Sequence, residues 1–159
     1  MIEASLIIKG AFAALLLLAA YSDARRFLIP NIYPAMIIFL FVVAKGAGFP
    51  FSEPLWSHLL HFAIALSVGL ALFALRWFGG GDVKLYAAIA LWFGLPQAIL
   101  LLVVTAVSGG IIVLARMIVH FLRISFGSGQ GKTRLFERRI AYGIAIAAGG
   151  IVSLLFYYP

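Results

Sequence analysis

Asp23 and Asp82 are two of only five acidic residues in a chain of 159, and both interrupt apolar sequence. Asp23 ends "ALLLLAAYSD", and Asp82 stands inside "FGGGDVKLYAAIALWF". A carboxylate in such surroundings is costly unless it is paired or put to use. Two carboxyls brought close together do not both ionise, so one keeps a proton while the other stays charged. The charged one can take a proton from water, whose oxygen attacks a peptide carbonyl. The neutral one donates a hydrogen bond to the developing oxyanion and then helps protonate the leaving amine. Gly79, Gly80 and Gly81 let the backbone bend and come close to an extended substrate. A purely structural role competes with this chemistry: Asp82 is placed to cap the helix that follows it, and Asp23 to pair with Arg25 or Arg26.

The elements that must position these residues follow from composition. The chain is 65% hydrophobic and 11% charged, with mean hydropathy +1.14, whereas soluble domains are roughly a quarter charged. This is the composition of an integral membrane protein. Its apolar runs are continuous and do not alternate, which predicts helices and not a β-barrel. Six segments can be placed, at about 4–21, 32–49, 59–78, 83–94, 97–115 and 140–158. The fold class expected is an all-α, polytopic bundle with six transmembrane segments, the fourth short, forming one domain over residues 1–159. The breaks carry turn residues: "IPN" at 29–31, "GAGFPF" at 46–51, "FGGGD" at 78–82, "GLPQ" at 94–97 and "FGSGQGK" at 126–132. The N-terminal segment lacks a basic region before its apolar run and a small-residue cleavage site after it, so it reads as a retained helix.

Alternating the loops between two sides places ten of the twelve lysines and arginines on one side and leaves only Lys9 and Lys45 on the other. The positive-inside rule makes the richer side cytoplasmic, with both termini facing away from it. The net charge of +7 therefore orients the protein, and nucleic acid need not be invoked. Asp23 and Asp82 then share the cytoplasmic face. The fourth segment is too short to reach both surfaces, which predicts an Asp82 recessed into the bilayer behind irregular triglycine backbone.

"SDARRFLIPN" followed by "GGGDVKLYAAIALWFG" resembles the type IV prepilin peptidases, the GxGD-type intramembrane aspartic proteases. In that family the first catalytic aspartate precedes an I-P-N turn and the second closes G-x-G-D, usually followed by x-K-L. The matching positions are Asp23, Ile29-Pro30-Asn31, Gly79-Gly80-Gly81-Asp82 and Lys84-Leu85. "AYGIAIAAGG" at 141–150 resembles the pattern of the family's last helix, with Ala141 where proline is usual. The resemblance implies cleavage of a leader peptide from a prepilin at the cytoplasmic face of the inner membrane, with Asp23 and Asp82 catalytic and no cofactor. It implies a substrate with a basic leader and an apolar helix in the bilayer. Longer members carry a cysteine-rich cytoplasmic element and a methyltransferase activity. This sequence has no cysteine, and it looks like the short branch that processes tight-adherence (Flp) pilins. Archaeal preflagellin peptidases are related.

Other residues invite sharper readings that their context does not support. "GSGQGKT" at 127–133 has Phe126 where a P-loop needs glycine, and no strand precedes it, so it reads as a linker. His58 and His61 fall on one helix face, but a zinc site wants three or four ligands and only Glu53 is near in sequence; they read as interfacial residues on the side away from the aspartates. No metal site is expected. Lys84 is placed either to orient Asp82 or to snorkel, and Asn31 either to hydrogen-bond near the site or to close the turn after Pro30. Ala141, Ala145 and Gly149, with Gly143 and Ala147 beside them, form a small-residue stripe suited to close helix packing. The six cations between Arg116 and Arg139 suit anionic lipid heads. Two other classes of function share these features: a small proton- or cation-coupled transporter using the two aspartates, and a non-catalytic scaffold of pilus assembly. The sequence leaves the particular pilin and the oligomeric state open.

Overall fold

The computed structural model describes residues 2–125 and 142–158. The glycine-rich linker at 127–133, the cations Lys132, Arg134, Arg138 and Arg139, and Ala141 lie outside the described residues. Among those described, the secondary structure is all helical: α1 Ile2–Arg26, α2 Ile32–Gly46, α3 Leu55–Ala74, α4 Gly80–Ala90, α5 Ala98–Ser125 and α6 Tyr142–Tyr157, with a 3-10 turn at Leu95–Gln97 before α5. Three stretches are long and apolar enough to cross a membrane: Glu3–Arg26, Leu55–Ala74 and Leu95–Leu122. The apolar α2 and α6 are shorter, and α4, at 11 residues, is the shortest. At the usual helical rise α4 is only about 16 Å long.

The breaks have local causes. Pro34 sits in the first turn of α2, where its missing N–H is not needed, and Pro54 precedes α3. Two helices end in the same left-handed motif. After α2, Gly48 has φ +73°, with Phe49 N–H donating to the Ala44 carbonyl and Gly48 N–H to the Lys45 carbonyl. After α3, Arg76 adopts φ +61°, with Trp77 N–H donating to Leu72 and Arg76 N–H to Phe73. Glycine normally takes this position because a β-carbon crowds the left-handed backbone.

The short α4 is the core of the bundle. It packs against α2, α3 and α6, while α6 also packs on α1 and α5. Leu85, Ala87 and every residue from Ala88 to Phe93 are buried, so the helix is apolar nearly all round, as a central element must be. Trp92 is fully buried against Phe12, with ring centroids 4.4 Å apart, and its indole N–H donates to the Ile37 carbonyl at 3.1 Å. By contrast, α3 and α5 turn most of their apolar surface outward. Lipid tails solvate such surface, and the chain is a membrane protein.

Two expectations need correction here. His58 and His61 are not interfacial: they are buried, with 0% and 3% of their surface exposed. The carbonyls that end a helix have no partner within it, and those at the end of α4 lie in an apolar core. His58 Nδ1–H donates to the Leu91 carbonyl at 3.0 Å, and His61 Nδ1–H to the Phe93 carbonyl at 2.9 Å. A carbonyl only accepts, so both rings carry their proton on Nδ1. The Tyr158 hydroxyl donates to the Trp92 carbonyl at 3.2 Å, and α4 is thereby pinned at its inner end. The second correction concerns the triglycine: Gly80 and Gly81 are the first helical residues of α4, and the irregular backbone is 75–79.

Candidate active site

At the outer end of α4 the helix begins, with Gly79 as N-cap and Asp82 in the first turn. Asp82 is therefore not the N-cap. Its side chain folds back over Gly79, where a β-carbon would stand 2.7 Å from Asp82 Oδ2. Asp82 is half-buried. Asp23 lies in the last turns of α1 and is only 5% exposed. The Gly143 N–H, at the start of α6, donates to Asp23 Oδ2 at 2.7 Å. Arg25, the alternative partner by sequence, instead lies over the Tyr21 ring at 5.1 Å from its centroid.

Helix packing brings the two carboxyls together. Both line one cavity of about 740 Å³. Two glycines make the approach possible. A β-carbon on Gly143 would stand 2.8 Å from Asp23 Oδ2 and 2.9 Å from Ile29 Cδ1. A β-carbon on Gly81 would stand 3.1 Å from Ile29 Cβ. Ile29 of the I-P-N turn is thus wedged between the first turns of α4 and α6 and keys them to the end of α1.

The other residues singled out by sequence divide into two groups. Gly79 and Gly80 line the cavity with the aspartates. Gly81, Pro30, Asn31 and Lys84 do not; they brace it. Lys84 Nζ donates to Asn31 Oδ1 at 3.1 Å, tying the first turn of α4 to the I-P-N turn. Pro30 and Asn31 carbonyls accept from Tyr33 and Ala35 N–H as α2 begins.

Sequence reasoning did not single out the rest of the cavity wall as part of the site: Phe27, Phe73, Ala74, Arg76, Trp77, Phe78 and Tyr142. Phe27, Phe78 and Tyr142 did lie inside quoted motifs, but nothing in those motifs marks an aromatic wall. Phe27 and Arg76 both adopt left-handed backbone, at φ +50° and +61°. Such conformations cost non-glycine residues about 1–2 kcal/mol and cluster at functional sites.

A helical membrane bundle in which two carboxyls share a cavity at one end, walled by aromatics and reached by irregular backbone, has the parts needed for hydrolysis at a membrane. The comparison with protein families makes the class definite. The chain belongs to the type IV leader peptidase family, which matches residues 10–114, a span that includes Asp23, the I-P-N turn, Asp82 and Lys84. It is therefore a membrane-embedded protease of leader-peptidase type. Comparison with curated proteins and with solved structures finds no match to the chain.

Proposed function

We propose that this protease is an aspartic endopeptidase that removes the leader peptide from prepilin-like substrates, of the type IV or Flp kind, with Asp23 and Asp82 as its catalytic dyad. The observation that carries this reading is that both carboxyls line one cavity. In the mechanism, the ionised carboxyl takes a proton from water as the water oxygen bonds to the scissile carbonyl carbon. The protonated carboxyl hydrogen-bonds the carbonyl oxygen as it becomes an oxyanion. The carbon–nitrogen bond then breaks, the nitrogen leaves with a proton from the dyad, and the leader departs as a carboxylic acid. The backbone N–H of Gly143 holds Asp23 in place during these steps.

In this reading all six helices are membrane segments, with α4 too short to span alone. The site opens at the cytoplasmic face of the inner membrane, and both termini lie on the other side, because the cations favour that orientation. The substrate's basic leader stays in the cytoplasm and its apolar helix in the bilayer; no nucleic acid takes part. Asp23→Asn and Asp82→Asn keep side-chain shape but cannot accept water's proton. Each is expected to abolish cleavage of a co-reconstituted prepilin while inserting normally. Cleavage by either variant above a few per cent of wild type rules out the dyad.

A further inference from the structure

A second cavity, of about 750 Å³, opens beside the first. Its walls are one stripe of α3, from His61 to Leu72, and one stripe of α5, from Ala98 to Leu114. Its floor is Val83 and Tyr86 of α4 with Ala145 and Ile146 of α6. The α5 stripe recurs at helical spacing through Leu102, Ala106 and Gly110, so one whole face of that helix looks into the groove. From Ala98 to Leu114 the stripe is about 24 Å long, close to the roughly 30 Å hydrocarbon thickness of a bilayer. The groove is thus shaped for an elongated apolar body lying along the helices.

Phe78 and Tyr142 line both cavities. Their rings stack with centroids 5.7 Å apart and planes at 28°, so this pair is the partition between the carboxyl cavity and the apolar groove. Whatever lies in the groove presents its end to Asp23 and Asp82. In lipid a peptide must be helical to satisfy its backbone, whereas the attacked bond must be accessible from an unwound chain. The two requirements meet at the partition. The small residues Ala106 and Gly110 on α5 line the groove and are exposed, and a β-carbon on Gly110 would meet nothing within 4 Å, so another helix backbone can come close there.

We propose that this groove is the docking surface for the apolar α-helix of the substrate, which enters sideways from the bilayer between α3 and α5. The Phe78–Tyr142 pair is the threshold where that helix ends and extended chain passes to the carboxyls. The assignment rests on the dyad reading above, since it takes Asp23 and Asp82 as the destination.

Gly110 offers a clean perturbation, because a β-carbon there would meet nothing within 4 Å. Gly110→Phe grows into the groove and is expected to raise KM for a membrane-anchored prepilin about tenfold or more, with kcat near that of wild type. Val107→Phe, at an exposed position outside the groove, is expected to change both by less than about twofold. No KM change at Gly110, or equal losses at both positions, overturns the proposal. A second measurement needs no turnover. In the Asp82→Asn background, a photoreactive p-benzoylphenylalanine in place of Leu102 is expected to form an adduct with the substrate's apolar helix, and one in place of Val107 is not. Adducts at 102 with lipid only, or with a second copy of the chain, overturn the groove assignment whatever the fate of the dyad. Persistent cleavage by Asp82→Asn overturns the dyad alone.

Discussion

Gly143→Ala tests whether the carboxyl geometry, and not merely the presence of the carboxyls, sets activity. The added methyl would stand 2.8 Å from Asp23 Oδ2, 2.9 Å from Ile29 Cδ1 and 3.0 Å from Asp23 Cβ. Ordinary contacts between carbon atoms lie at about 3.5–4.0 Å, so α6 and the end of α1 must separate by about 0.5–1 Å. Overpacking of this kind costs about 1–3 kcal/mol of stability, which a well-packed bundle survives. Catalytic constellations tolerate only about 0.5 Å of displacement, and a misplacement of about 1 Å costs about a hundredfold in rate. Gly143→Ala is therefore expected to lower kcat for leader cleavage by about ten- to a hundredfold while the protein still inserts. Gly81→Ala, whose closest contact would be 3.1 Å to Ile29 Cβ, should lose less. Gly10→Ala, with nothing within 4 Å, should lose nothing. The assay is prepilin cleavage in proteoliposomes, with thermal unfolding in detergent as the folding control. A stable Gly143→Ala with kcat within about twofold of wild type would refute the reasoning, because it would mean that Asp23 need not be held where α6 holds it.

His58→Ala and His61→Ala should each lower thermal stability, by about 1–3 kcal/mol, because the Leu91 or Phe93 carbonyl is left unsatisfied in an apolar core; unchanged unfolding of both variants would show that these carbonyls find other partners. Arg76→Gly should raise stability by about 1 kcal/mol, since it removes a β-carbon from a left-handed backbone position; a fall in unfolding temperature would mean that the arginine side chain contributes more than its backbone costs. A single cysteine at 82, in this cysteine-free chain, should react with a bulky charged thiol reagent more slowly than one at the exposed Arg26; equal rates would place Asp82 at the surface.

The apolar runs and their breaks were readable directly because the bilayer demands long, uninterrupted helices: 29–31 falls between α1 and α2, 46–51 begins on the last residue of α2, and 94–97 holds the 3-10 turn before α5. Asp23 and Asp82 were conspicuous because charge is rare in such a chain. Their spacing of 59 residues said nothing about distance, however, and it is the small residues of α6 that let α1 and α4 close around one cavity. Helix starts were less legible. Gly80 and Gly81 look like loop residues by propensity, yet they form the first turn of α4, packed closely enough that β-carbons would stand 3.3 Å from Phe73 Cε2 and 3.1 Å from Ile29 Cβ. His58 and His61 looked interfacial because they fall on the side away from the aspartates with too few ligands nearby for a metal site. Only the tertiary fold shows that the last carbonyls of α4 are buried beside them and need donors. The aromatic wall of the cavity and the groove behind Phe78 and Tyr142 left no sequence signal, because phenylalanine and tyrosine are common throughout such a chain. What the residues determine alone is the helical, membrane-bound class and the pair of carboxyls; how close those carboxyls come and what surrounds them is decided by packing between helices distant in sequence.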